Sequence, residues 1–195
     1  MNRRAGFTLI EIMISVVILA LLIVGIYSVM ASSQNLYAAG MSRSEIQERV
    51  RRALAEIAEE LRQANSGSFV PITFGTVGVP TDQTVTFQTC TGFAGGVATW
   101  GVPVTFTTID SDGEADNGLD DNFNKLIDER KLVRIQGART RVLADNLRQG
   151  SLIITPTLAA GLVTSVRVEL TIEGVDDKGR ILSGTDRVTV ELRNQ

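Results

Sequence analysis

"RRAGFTLIEIMISVVILALL", residues 3–22, sets two arginines before a long apolar run and puts one carboxylate, Glu11, at the head of that run. From Ile12 to Ser42 there is no charged residue, and Ile12 to Met30 is almost wholly apolar. That stretch is close to the roughly 20 residues a membrane-spanning helix needs. Arg3 and Arg4 are the nearest cations, so the positive-inside bias leaves the N-terminus in the cytoplasm and sends the rest of the chain across the membrane. A cleaved secretory signal has a shorter apolar core, about 7–15 residues, although "ASS" at Ala31 to Ser33 would pass as a weak cleavage site. An uncleaved signal anchor explains the arginines and the apolar length. Neither explains Glu11, because an ion next to hydrocarbon is costly and usually has a partner.

"GFTLIEIMISVVILALL", Gly6 to Leu22, resembles the signature of type IV prepilins and type II secretion pseudopilins: a short basic leader, Gly, Phe, then Glu at the fifth position of the mature chain. The resemblance implies cleavage between Gly6 and Phe7 by a prepilin peptidase on the cytoplasmic side, methylation of the new Phe7 amine, and retention of the apolar helix. It also implies that Glu11 meets the N-terminal amine of a neighbouring subunit as the helix leaves the bilayer for a fibre. Such a pair compensates both charges and sets register, a use for which buried polar groups have precedent.

Past Met30 the composition turns polar. Ile46, Val50, Leu54, Ile57 and Leu61 then recur at spacings of four and three, the mark of one apolar helix face, which Ala53 and Ala64 widen. Glu45 with Arg49 and Glu48 with Arg52 stand four apart in the favourable order. The stripe is too short for a coiled coil and a β-rich region follows, so it packs on the chain's own head. Gly25 and Gly40 are candidate bends, and "NSGS", Asn65 to Ser68, stops the helix.

The rest is rich in Val, Thr, Phe and Ile broken by Gly and Pro. "VRVELTIEG", Val166 to Gly174, and "RVTVELRN", Arg187 to Asn194, alternate apolar with polar residues on either side of "DDKG", Asp176 to Gly179, and predict an antiparallel pair laid on the helix. "TVTFQTCTG", Thr84 to Gly92, also alternates and predicts a buried Cys90. "TGFAGGVATWG", Thr91 to Gly101, lacks the spacing of a phosphate loop and reads as a flexible loop, with Trp100 read as core. The expected class is α+β, a type IV pilin-like lollipop: a long N-terminal α-helix, half membrane-spanning and half amphipathic, packed on an antiparallel β-sheet head. The segments are a leader at 1–6, a membrane or fibre-core helix at 7–30, an amphipathic half at 31–65, and a head at 66–195.

Chemistry is restricted by composition. The 195 residues hold no histidine and one cysteine, which excludes the usual zinc sets, Ser-His-Asp and Cys-His machinery, and an internal disulfide. With 19 basic and 22 acidic residues there is no global field to hold a polyanion. One constellation in the head stands out: "DSDGEADNGLDDNFNKLIDE", Asp110 to Glu129. Oxygen donors on alternate residues of a tight loop suit calcium, which takes roughly 6–8 of them. The candidate ligands are Asp110, Asp112, Asp116, Asp120, Asn122, Asn124, Asp128 and Glu129.

Two registers are readable. From Asp120, the residues Asp120, Asn122, Asn124, Ile127 and Asp128 follow an EF-hand-like loop, but Lys125 replaces the expected glycine and Lys131 the bidentate acid. The earlier one, Asp110, Asp112 and Asp116 with Gly113 and Gly118, resembles the Asp-x-Asp-Gly turns of repeat-type calcium loops. A solvated acidic loop is the plain alternative to calcium, and a carboxylate glycosidase lacks any cleft signal. The basic residues Arg130, Lys131, Arg134, Arg139, Arg141 and Arg148 balance the acidic loop better than they make a DNA-binding surface.

The expected function is that of a structural, non-enzymatic subunit, most like a minor pilin of the PilW type, which primes assembly of a type IV pilus or caps its tip. Its partners are other pilins, met through the N-terminal helix, and the prepilin peptidase. It resides in the inner membrane with a periplasmic head before joining a cell-surface fibre. A J-like minor pseudopilin of type II secretion and a signal-anchored calcium-binding module are the alternatives.

Overall fold

The computed structural model describes residues 8–64, 73–77, 82–159 and 162–192. The chain forms two compact units, Met1–Met41 and Ser42–Gln195. One helix, α1 (Leu9–Arg62), contributes to both. Between Ile12 and Met30 it is apolar almost all round, with Ile18, Leu22, Ile26 and Met30 among its exposed side chains. A mean hydropathy of 3.0 over an 18-residue window makes it long and apolar enough to cross a membrane. Gly25 and Gly40, the candidate bends, both stay within the helix. The proposed stop at Asn65 to Ser68 lies outside the described residues. The helix ends just before it, where Gln63 and Ala64 donate to the carbonyls of Glu60 and Leu61.

In the second unit the last turns of α1 bury the predicted face. Ile46, Val50, Ala53, Leu54, Ile57, Leu61 and Ala64 are all in the core, and Ala58 joins them. The opposite face carries the predicted ladders, Arg49 to Glu45 and Arg52 to Glu48, both 2.6 Å. Such exposed pairs contribute only a few tenths of a kcal/mol each. The apolar stripe therefore holds the helix to the head, and the ladders keep its outer face soluble.

Among the described residues ten strands follow: β1 (Thr73–Val77), β2 (Asp82–Phe87), β3 (Cys90–Ala94), β4 (Val97–Trp100), β5 (Val104–Asp110), β6 (Arg130–Gln136), β7 (Arg139–Leu147), β8 (Ile153–Ala159), β9 (Leu162–Val175) and β10 (Ile181–Glu191). Eight form one antiparallel sheet in the order β1-β2-β5-β6-β7-β9-β10, with β8 also paired to β9. Alternate residues of the central strands face the helix: Val85 and Phe87, Val104 and Phe106, then Val166, Val168, Leu170 and Ile172. The Phe87 and Phe106 rings lie 5.9 Å apart, tilted by 32°.

The predicted β9–β10 pair forms, in register from Ser165↔Glu191 to Val175↔Ile181. Two glycines let the helix approach it closely. A Cβ on Gly184 would lie 2.8 Å from Ile46 Cγ2, and one on Gly174 2.9 Å from Ile46 Cδ1.

The turn of this hairpin is held by Asp176. Its carboxylate accepts from the N–H groups of Lys178 (2.9 Å) and Arg180 (2.8 Å) and from Arg180 Nε (2.7 Å). The Arg180 N–H is the main influence holding this carboxyl below the ordinary aspartate value, aided by the Arg180 guanidinium and the Lys178 N–H and opposed by burial. A depressed folded-state pKa contributes stability above the unfolded-state value and loses it as pH falls through the folded-state value. Asp176→Asn is therefore expected to lower the melting midpoint at pH 7, with the gap to the parent protein closing in acid. Parallel thermal melts from neutral pH downward check this.

Two readings of the head are corrected. The stretch read as a flexible loop is a separate two-stranded ribbon, β3 with β4, turned by Gly95 (φ 60°) and Gly96 (φ 80°). Positive φ at both central residues is what a two-residue hairpin turn with the strands' own twist requires. Cys90 and Trp100 face each other in this ribbon and are only half-buried, because the alternation begun in β2 breaks at Gln88, before β3.

Candidate functional site

Gly6 and Phe7, the cleavage and methylation candidates, lie outside the described residues. Immediately after them, Thr8 and Glu11 form a reciprocal cap on the first turn of α1. The Glu11 carboxylate accepts from the Thr8 N–H and hydroxyl, both at 2.9 Å, while Thr8 Oγ1 accepts from the Glu11 N–H at 3.4 Å. This is a capping box, Thr-x-x-Glu, which satisfies otherwise orphaned helix donors and sets a negative charge at the positive end of the helix dipole. The carboxylate thus has a local seat within one subunit. Engaging a neighbour's amine would exchange two short local bonds for an ion pair.

The acidic loop joins β5 to β6, where Asp110 pairs with Arg130 across the strands. Arg130 is only 3% exposed and organises the loop's base. Its guanidinium meets Asp82 (3.2 Å), Asp110 (2.8 Å) and Asp116 (2.9 Å), and Nε donates to Thr108 Oγ1 (2.9 Å). Thr108 in turn donates to Asp82 (2.8 Å), and the other Asp82 oxygen accepts from the Leu152 N–H (2.9 Å). Asp82 is fully buried and was not among the sequence candidates. It lies 26 positions before Thr108, in a strand whose local sequence carries no acidic pattern. Outside this cluster, Lys131 Nζ reaches the exposed Asp112 at 2.7 Å. Asp110, Asp112 and Asp116, the first calcium register, are thus all ion-paired to basic side chains.

The second register shapes the loop's tip. Asp120 accepts from the N–H groups of Asn124 (3.0 Å) and Lys125 (2.7 Å). Asn122 Oδ1 accepts from Asn124 N–H, and Asn124 Oδ1 from Leu126 N–H. These are the side-chain-to-backbone turns that Asp and Asn favour. Lys125, where a glycine was expected, has φ 76°, so the glycine conformation is present without the glycine. Asp128 accepts from the N–H groups of Asn117 (3.0 Å) and Gly118 (2.8 Å). Asp121 accepts from Asn117 Nδ2 at 2.7 Å.

Glu129 is only 2% exposed; its Oε1 accepts from the side-chain amides of Asn122 and Asn124. Among the described residues, no group of three or more His, Cys, Asp or Glu side chains is placed to hold a metal.

The basic stretch after the loop is largely turned inward on the chain's own acids. Arg134 meets Glu60 (2.6 Å) and Arg141 meets Glu56, tying β6 and β7 to α1, and Arg148 stands 4.0 Å from Glu173.

No curated protein and no solved structure matches the chain. Residues 1–27, which hold the Gly6–Phe7 junction, the capping box and the first turns of the apolar helix, match the family model of the prokaryotic N-terminal methylation motif, the signature of pilin-like proteins processed by a prepilin peptidase.

Proposed function

We propose that this chain is a structural, non-enzymatic minor pilin, cut between Gly6 and Phe7, methylated at Phe7 and built into a type IV pilus, where it primes assembly or caps the tip. The observation that carries this reading is the methylation motif running directly into the exposed apolar part of a 54-residue helix. Before assembly that surface is matched to lipid; in a fibre it is matched to the same surface of neighbouring helices. Glu11 then leaves its seat on Thr8 for the amine of an adjacent subunit. The head supports a structural role: its helix and sheet share one apolar core, and its basic side chains are largely engaged with its own carboxylates. Peptidase, membrane and fellow pilins are its partners on this reading, and the head stays outside the cytoplasm.

Immunoblotting of sheared surface fibres tests this directly. The protein is expected in the fibre fraction, and its recovery only from membranes, in cells that carry fibres, would refute the assignment.

A further inference from the structure

Among the described residues, three oxygens at the base of the acidic loop are buried without a hydrogen-bond partner: Glu129 Oε2, Glu114 Oε2 and Ser111 Oγ. A closed circuit of bonds brings their residues together. The Ser111 N–H donates to the Glu129 carbonyl and the Glu114 N–H to the Ser111 carbonyl, both at 3.1 Å. The Asn122 N–H donates to Glu114 Oε1 and the Asn122 side-chain amide to Glu129 Oε1, both at 2.9 Å.

Two carboxylates therefore flank one asparagine, and Glu129 is 98% removed from solvent, its exposure being 2%. Neither forms a salt bridge among the described residues. The cations of β6 are committed, Arg130 to Asp82, Asp110 and Asp116 and Lys131 to Asp112, and the ammonium of Lys125, the cation within the loop, lies against Gly179 in the β9–β10 turn. A buried carboxylate oxygen with no donor and no counter-charge is costly.

We propose that a calcium ion binds between Glu129 and Glu114, with Ser111 Oγ as a further donor. The site lies inward of the aspartates that the loop's sequence puts forward. Hard oxygen donors from an irregular loop suit calcium, which accepts carboxylate, hydroxyl, carbonyl and water oxygens in flexible geometry. A donor set of two carboxylates plus neutral oxygens is also compatible with the lack of any three-acid cluster. The ion balances the carboxylate charge that Arg130 and Lys131 of β6 leave uncompensated, and it fastens Ser111, Glu114 and Glu129 at the closure of a long loop. The proposal stands independently of the fibre in which the chain serves.

The probe is calcium alone, added to chelator-stripped full-length protein in detergent micelles, read by equilibrium dialysis and thermal melting. The parent protein is expected to bind about one ion per chain and to melt roughly 5–10 °C higher at saturating calcium. Glu129→Gln is expected to weaken binding more than about tenfold, and Glu114→Gln, at the less buried residue, to do likewise should the first variant fold poorly. Asp112→Asn is expected to bind as the parent does. No saturable binding by the parent protein, parental affinity in both glutamine variants, or a loss at Asp112→Asn as large as theirs would overturn the assignment.

Discussion

Arg130→Met is expected to destabilise the head by about 3–5 kcal/mol, the usual effect of removing one partner from a buried ion pair. Methionine keeps most of the buried stem, so the loss reports charge more than cavity. Asp82, with no exposed surface, would keep its bonds from Thr108 and the Leu152 N–H but lose the one cation paired with it among the described residues. Asp110 and Asp116 would lose the same guanidinium, releasing the loop from β6. At roughly 2–4 °C per kcal/mol for a domain of this size, the midpoint should fall by about 6–20 °C. Adding Asp82→Asn to the Arg130→Met protein removes the orphaned charge, and this second change should recover part of the loss, a coupling that a double-mutant cycle measures. A change within about 1 kcal/mol for Arg130→Met would show that the arginine is not what holds the loop's base together.

At the other end of the chain, Glu11→Ala is expected to leave membrane insertion intact and to reduce recovery in sheared fibres about tenfold or more, since on the proposed reading it removes one partner of an ion pair between subunits. The capping box makes a second variant informative. Glutamine also serves at the third position of a capping box, so Glu11→Gln keeps the local bonds to Thr8 and removes only the charge. If Glu11 serves assembly through its charge, both variants fail to enter fibres. Normal incorporation of Glu11→Gln alongside failure of Glu11→Ala would assign the residue to helix capping instead.

The features legible in the sequence were those with a local period. The stripe from Ile46 to Leu61 repeats at helical spacing and is buried where it was expected to be; the alternation of Val166 to Ile172 places four side chains in the core. Composition alone made the first helix apolar and the acidic loop conspicuous. The Asp82–Arg130 pair carries no such signal, because register across β2, β5 and β6, not spacing along the chain, brings it together. Cys90 misled because alternation persists in the letters while the strand breaks at Gln88 and the ribbon leaves the sheet. The Thr8–Glu11 cap is legible as Thr-x-x-Glu, a local role beside the intersubunit one that the prepilin resemblance implies. In the acidic loop the donor types were visible, whereas which acids meet Arg130 and Lys131 depends on the fold around them.

Intact-mass and N-terminal peptide measurement on the protein recovered from its native membrane tests the central claim most directly. The account predicts a chain that begins at a methylated Phe7, with Met1 to Gly6 removed. A chain that retains Arg3 and Arg4, with an unmodified Phe7 inside it, would contradict the account and leave a membrane-tethered β-rich domain.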